Sequence, residues 1–200
     1  MVTTLDGATR GHTGVSKSIS TPADGRVFSV LRRAADAVLV AAGTVRAERY
    51  QPSRKQVAVV TRSGDLPLDL PLLAERAPDM PRPIVITSER VAAAASIRLR
   101  YLTDIVGCGE EEVDLRLAVD LLVDRGLPRI QCEGGPTLLG AMANADLIDE
   151  IALNLTPALL GAPEHEHLLT VPGGDVAEAR WRVIHVLEED GTTFLRLGRP

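Results

Sequence analysis

Short apolar runs recur along the first two thirds of the chain, and polar or glycine-containing segments separate them. Residues 37–42 (Ala-Val-Leu-Val-Ala-Ala) are continuously apolar, which is typical of a strand buried on both faces. Similar runs predict further strands at residues 1–5, 56–61, 83–87 and 104–108, and a short strand that runs into Glu133.

Helical periodicity appears between these runs. Thr21, Pro22 and Asp24 form a helix start, with Thr21 as the N-cap, and apolar residues follow at helical spacing. The same reasoning predicts a helical turn at residues 45–48, a helix over residues 113–125 and a helix that begins at Pro136.

Strands dominate after residue 145. They are expected at residues 150–155, 181–187 and 192–197, and Asp190 with Gly191 is a strong hairpin signal. This order predicts an α/β fold with a mostly parallel sheet and an antiparallel C-terminal hairpin. A length of 200 residues favours one domain over residues 1–200.

Charge and cysteine content exclude several classes of function. A net charge of −5 argues against a general nucleic-acid binder, which would present a basic face. Cys108 and Cys132 lie in no C-x-x-C motif, so we expect no metal site, no disulfide framework and a cytoplasmic location. No apolar run reaches the roughly 18 residues of a membrane span, and the N-terminus lacks a signal pattern.

The strongest local signal for a ligand site is the stretch Glu-Gly-Gly-Pro-Thr-Leu-Leu-Gly at residues 133–140. Its adjacent glycines would let a ligand touch bare backbone, and the following helix N-terminus would favour an anion. The dinucleotide fingerprint G-x-G-x-x-G is absent, and the lysine of a P-loop is missing. A turn that uses glycine only for its geometry is the alternative.

Several polar residues follow predicted strands, where ligands bind in open α/β sheets. They are Asp6, Gly43 with Thr44, Arg62 with Ser63, Thr87 with Ser88, and residues 133–135. We expect them to converge on one cleft, although each taken singly has an ordinary structural explanation.

Residues 133–140, 147–150 and 156–161 together closely resemble the pyrimidine reductase of riboflavin biosynthesis. The resemblance extends to residues 5–7, 31–32 and 43–48, in the same order along nearly all of the chain. It implies a dihydrofolate-reductase-like, three-layer α/β fold and an oxidoreductase that uses NADPH. The implied reaction is hydride transfer to ribose C1 of 5-amino-6-(5-phosphoribosylamino)uracil, which opens the ribose to a ribityl chain.

The resemblance also assigns residues to roles. It implies that NADPH contacts Thr3, Thr44, Glu48, Arg62, Ser63, Gly134, Gly135, Pro136, Thr137 and Leu138, with Arg62 and Ser63 at the adenosine 2′-phosphate. Substrate contacts would come from Ser16, Arg32, Arg54 and Glu133. Asp6 and Glu133 are the carboxylates nominated to deliver the catalytic proton, with water as the alternative.

Departures from the family pattern keep other functions open. The segment 14–19 lacks a tryptophan that some members carry, and residues 50–55 are shorter than the usual substrate-phosphate loop. A reductase of a pterin or another small molecule on the same fold, and a catalytically silent nucleotide-binding dimer, are the alternatives. Residues 147–161 predict an apolar strand, and no helix to cover it is predicted nearby. We therefore expect a homodimer, because an exposed apolar strand favours association with a second copy.

Overall fold

The computed structural model describes residues 1–99, 101–161, 167–171 and 180–200. The chain forms two compact units, one from residues 1–30 with 136–200 and one from residues 31–135. The strands are β1 (Val2–Thr4), β2 (Ala37–Ala41), β3 (Gln56–Val60), β4 (Ile84–Thr87), β5 (Asp104–Gly107), β6 (Ile130–Cys132), β7 (Glu150–Thr156), β8 (Arg182–Glu189) and β9 (Thr192–Gly198). The α-helices are α1 (Pro22–Ala34), α2 (Ala42–Glu48), α3 (Glu89–Leu99), α4 (Leu115–Asp124) and α5 (Pro136–Asn144).

The unit of residues 31–135 is built on a parallel sheet in the order β5-β4-β3-β2-β6. Its central strands are the continuous apolar runs of the sequence, and β2 and β4 are buried along nearly their whole length. Valines of β2 and β3 pack with Leu66, Leu70, Leu72 and Leu73 into one aliphatic core. The predicted parallel sheet is therefore confirmed, and α4 begins where Asp114 caps it by accepting hydrogen bonds from the N–H groups of Arg116 and Leu117.

The other unit contains a four-stranded sheet in the order β1-β7-β9-β8. β1 pairs with β7 in parallel, whereas β9 is antiparallel to both β7 and β8. Asp190 and Gly191 join β8 to β9 with φ values of 52° and 78°, as expected for the predicted hairpin turn. Thr21 caps α1 by accepting a hydrogen bond from the N–H of Asp24 at 3.2 Å, which confirms the predicted helix start.

Two features differ from the sequence expectation. The described strands form two hydrogen-bonded sheets, because β7 pairs with β1 and β9, so the hairpin does not extend the edge of the parallel sheet. The sequence predicted an uncovered apolar strand within residues 147–161, but β7, which lies there, is paired on both sides. The exposed strand is β8, in which every residue is exposed. The single domain over residues 1–200 stays a prediction.

Candidate active site

Predicted site residues of the unit 31–135 follow neighbouring strands of the parallel sheet. Thr44 follows β2, Arg62 and Ser63 follow β3, and Glu133 follows β6. Because β6, β2 and β3 are adjacent and parallel, these segments leave the same edge of the sheet side by side. The backbone N–H of Glu133 donates to the carbonyl of Leu39 at 2.9 Å, which fixes the end of β6 against β2.

Arg32 and Glu133 form the central ion pair of this edge. The Arg32 guanidinium donates from Nε to Oε1 and from Nη2 to Oε2 of Glu133, both at 2.6 Å. Such a bidentate ion pair fixes the orientation of both side chains. The Glu133 side chain is only 4% exposed and that of Arg32 is 34% exposed, so Arg32 is the member that faces solvent.

Tyr50 is the residue that the sequence interpretation missed. Its hydroxyl donates to Glu133 Oε2 at 2.5 Å, and its ring centroid lies 5.4 Å from the Arg32 guanidinium carbon. Gln131 donates from Nε2 to Oε1 at 3.2 Å, so four donor atoms hydrogen-bond to the Glu133 carboxylate. Burial, the charge of Glu133 and the hydrogen bond to it raise the pKa of Tyr50 well above its usual range, so the phenol is a donor.

The end of α2 turns the chain so that Tyr50 reaches this position. Arg49 adopts a left-handed conformation at φ 47°, and the N–H of Tyr50 donates to the carbonyl of Val45 at 3.2 Å. A sequence signal existed, because Tyr50 is one of only two tyrosines in the chain and lies two residues after the predicted helical turn at residues 45–48.

The glycine turn follows Glu133 and is bound to α2. The N–H of Gly135 donates to Thr44 Oγ1 at 2.9 Å, and the Gly134 carbonyl accepts from Ala41 at 2.7 Å. Gly134 has a φ of 81°, and the peptide bond between the two glycines is cis. The N–H of Gly135 therefore already has a partner, the Thr44 hydroxyl.

Arg62 and Ser63 lie exposed after β3. No described residue forms a hydrogen bond or an ion pair with the Arg62 guanidinium, whereas Ser63 Oγ accepts from the N–H of Asp65 at 3.2 Å. Arg54 precedes β3, so it belongs to the opposite edge of the sheet, and it pairs with Asp79. Glu48 is the last residue of α2.

Thr87 is the last residue of β4 and Ser88 follows it, and the hydroxyl groups of both are buried without a hydrogen-bond partner. Ser88 therefore does not cap α3 through its side chain; its carbonyl accepts from Val91 and Ala92 instead.

The remaining predicted residues belong to the other unit. Thr3 is buried in β1, and Ser16 opens a 3₁₀ turn at Ser16–Ser18. Asp6 accepts hydrogen bonds from the Thr4 hydroxyl and from the N–H groups of Leu160 and Gly161. The Thr4 hydroxyl is the main cause that lowers the pKa of Asp6 to about 2.

Helix α5 begins at Pro136, as predicted, and continues through Thr137 and Leu138. Its first turn has N–H groups without partners inside the helix. A Cβ at Gly140 would lie 2.4 Å from the carbonyl oxygen of Thr170, so close backbone packing requires this glycine.

Comparison with known proteins assigns the chain to a family. The model of the RibD C-terminal domain matches residues 1–193. The chain belongs to the RibD C-terminal domain family. A curated relative from Methanothermobacter thermautotrophicus, named 2,5-diamino-6-ribosylamino-4(3H)-pyrimidinone 5′-phosphate reductase, is 31% identical over 182 residues, covering 86% of this chain and 82% of the relative.

Solved structures agree in fold. A pyrimidine reductase-like protein from Corynebacterium diphtheriae superposes with a TM-score of 0.85 at 22% identity, covering 98% of this chain and 88% of that one. Dihydrofolate reductase from Enterococcus faecalis gives a TM-score of 0.54 at 11% identity, covering 99% and 92%. The predicted dihydrofolate-reductase-like α/β fold is therefore confirmed.

Membership of the RibD C-terminal domain family makes this chain an oxidoreductase of the riboflavin-pathway reductase type. Reductases with this fold typically use a nicotinamide cofactor.

Among the residues described, no helix is both long and apolar enough to span a membrane.

Proposed function

We propose that this chain uses NADPH to reduce C1 of a pyrimidine ribosylamine 5′-phosphate, which opens the ribose to a ribityl chain. The observation that carries the proposal is the Arg32–Glu133–Tyr50 cluster at the end of β6, in a chain of the RibD C-terminal domain family. The relative from Methanothermobacter thermautotrophicus bears the name of a 2,5-diamino-pyrimidinone reductase, whereas the family resemblance of the sequence implies the uracil form. Both compounds therefore belong in the assay.

The chain's own residues would orient the substrate. The bidentate ion pair with Glu133 holds Arg32 in one orientation, and the guanidinium remains partly exposed. A fixed cation of this kind suits an anionic or carbonyl-bearing ligand. Ser16 and Arg54 remain predicted substrate contacts from the resemblance.

The residues after β2, β3 and β6 fit a nicotinamide nucleotide. A Cβ at Gly135 would lie 2.9 Å from Thr44 Oγ1, so glycine is the residue that fits this turn beside Thr44 without displacing it. Arg62 offers an exposed guanidinium, and such a fork suits the 2′-phosphate that distinguishes NADPH from NADH. When bound, the cofactor supplies the hydride. Thr3, Glu48, Pro136, Thr137 and Leu138 stay predicted contacts.

The two nominated carboxylates serve as anchors rather than proton donors. Glu133 accepts hydrogen bonds from the Arg32 guanidinium on both of its oxygens, which holds the carboxylate in place. Asp6, with a pKa lowered to about 2, is ionised at neutral pH and holds the N–H groups of Leu160 and Gly161. Solvent water therefore supplies the proton in this proposal.

The decisive experiment measures NADPH oxidation with three substrates: the aminouracil ribosylamine phosphate, its 2,5-diamino-pyrimidinone counterpart and dihydrofolate. We expect turnover with at least one pyrimidine and none with dihydrofolate. Turnover of dihydrofolate alone would replace the proposal with the pterin alternative, and no turnover of any compound would reject it.

We also propose a homodimer formed through β8. This strand is the edge of its sheet, and Val183, Ile184, Val186 and Leu187 on it are 40–57% exposed. β8 begins with Arg182 and ends with Glu188 and Glu189. Antiparallel pairing with a second copy would bring the basic start of each strand beside the acidic end of the other. An unpaired apolar edge favours such association.

A further inference from the structure

Three side chains form a closed triangle of contacts: Arg32 in the last turn of α1, Tyr50 after α2 and Glu133 after β6. Arg32 holds both oxygens of Glu133, Tyr50 donates to one of them, and the Tyr50 ring lies 5.4 Å from the Arg32 guanidinium. Each member therefore touches the other two. Tyr50 makes two kinds of contact, a hydrogen bond to the carboxylate and a cation–π contact to the guanidinium.

We propose that Tyr50 is a positioning residue that fixes the direction in which Arg32 meets the pyrimidine substrate. It acts through Glu133 and Arg32 and does not itself touch the substrate. The proposal rests on the proposed function, since it concerns the substrate side of that reaction.

Side-chain entropy explains why a third member is needed. A partly exposed arginine has many rotamers, and ordering such a side chain costs conformational entropy. The Glu133 carboxylate can hold the guanidinium in one orientation only if the carboxylate is itself held. Gln131 and Tyr50 provide that support, one on each oxygen, at 3.2 and 2.5 Å.

The surroundings of Tyr50 suit this role. Its ring packs against the aliphatic core of the unit, which limits its movement. The phenol keeps its proton because burial and the negative charges of Glu133 and Glu48 raise its pKa, against the opposite effect of Arg32. The donor to Glu133 is therefore present throughout the neutral pH range.

The kinetic test compares Tyr50→Phe, Tyr50→Leu and the control Tyr101→Phe, whose side chain is exposed. Phenylalanine keeps the ring over Arg32 and removes only the hydroxyl, so we expect kcat/KM to fall on the order of tenfold, mainly through KM for the pyrimidine. Leucine removes both contacts and should cost more. The Kd for NADPH should stay within about twofold, and Tyr101→Phe should behave as wild type.

The possible results separate the two proposals. If wild type turns over a pyrimidine and Tyr50→Phe matches it, or if Tyr50→Phe weakens NADPH as much as the substrate, the positioning role is wrong. If wild type turns over no pyrimidine, the proposed function fails and this role fails with it.

A spectroscopic test examines the triangle without any substrate. The chain has two tyrosines, so Tyr101→Phe leaves Tyr50 as the only phenol to titrate. We expect no tyrosinate absorbance in this variant until the protein unfolds at high pH. Adding Glu133→Gln removes the carboxylate charge, so the Tyr50 titration should move to lower pH. An unchanged titration, or tyrosinate near the usual pKa in Tyr101→Phe, would overturn the contact between Tyr50 and Glu133.

Discussion

A double-mutant cycle on Arg32 and Glu133 tests whether the central pair is a cooperative structural unit. The cycle compares the free energies of unfolding of Arg32→Ala, Glu133→Ala, the double variant and wild type. The coupling energy should lie between the values for exposed and fully buried pairs, because Glu133 is 4% and Arg32 34% exposed. Exposed pairs contribute about 0–1 kcal/mol, and breaking a buried pair costs about 3–5 kcal/mol. We therefore expect a coupling of about 2 kcal/mol.

The two single variants should differ in a definite direction. Arg32→Ala leaves a carboxylate that water can hardly reach, although Tyr50 and Gln131 still donate to it. Glu133→Ala leaves a guanidinium that can turn into solvent. Because an unpaired buried charge is the costlier of the two, Arg32→Ala should destabilise the protein more than Glu133→Ala.

Urea unfolding followed by circular dichroism supplies the measurement. Arg90 and Glu111, an exposed pair at 2.9 Å in the same unit, provide a matched control cycle with an expected coupling below about 1 kcal/mol. Equal coupling in both cycles, or a larger loss for Glu133→Ala than for Arg32→Ala, would refute the reasoning. In activity assays, Arg32→Ala and Glu133→Gln should lower pyrimidine turnover far more than they weaken NADPH binding.

Three further predictions concern the cofactor and the assembly. Arg62→Ala should weaken NADPH about tenfold to a hundredfold in calorimetry and leave NADH unchanged, because one charge-assisted contact is lost; equal effects on both cofactors would contradict the 2′-phosphate assignment. Gly135→Val should abolish cofactor binding with little loss of fold, because its Cβ would meet Thr44 Oγ1 at 2.9 Å, and normal NADPH binding would show that the turn is only structural. Light scattering should give about twice the 21.4 kDa chain mass for wild type and the single mass for Ile184→Lys in β8, and a monomeric wild type would refute the dimer.

Local sequence patterns predicted most of the strands and helices, because their causes lie within a few residues. The run at residues 37–42 became β2, buried along most of its length, and Thr21 caps α1 as its side chain suggested. Sheet membership is a different matter. Whether β7 or β8 lies at an edge depends on pairing with β1 and β9, and no local pattern encodes that choice. The apolar residues of β8 were visible in the sequence, but their exposure was not.

The triangle of Arg32, Tyr50 and Glu133 likewise depends on contacts between distant parts of the chain, which local sequence patterns do not encode. Tyr50 and Glu133 are 83 positions apart, and Arg32 and Glu133 are 101 apart. The family resemblance identified Arg32 and Glu133, because each of them matches a position in a motif of the family. It could not indicate Tyr50, whose importance comes from a contact and not from a motif.

The two glycines of the turn have different structural roles, which the sequence could not separate. Gly134 has the left-handed φ of 81°, so a side chain there would be strained regardless of the available space. Gly135 has no such backbone requirement, and its constraint is the 2.9 Å approach that a Cβ would make to Thr44 Oγ1. A substitution at Gly134 therefore tests the turn itself, whereas one at Gly135 tests the space beside Thr44. Only the second can separate cofactor binding from folding, which is why the proposed variant is at Gly135.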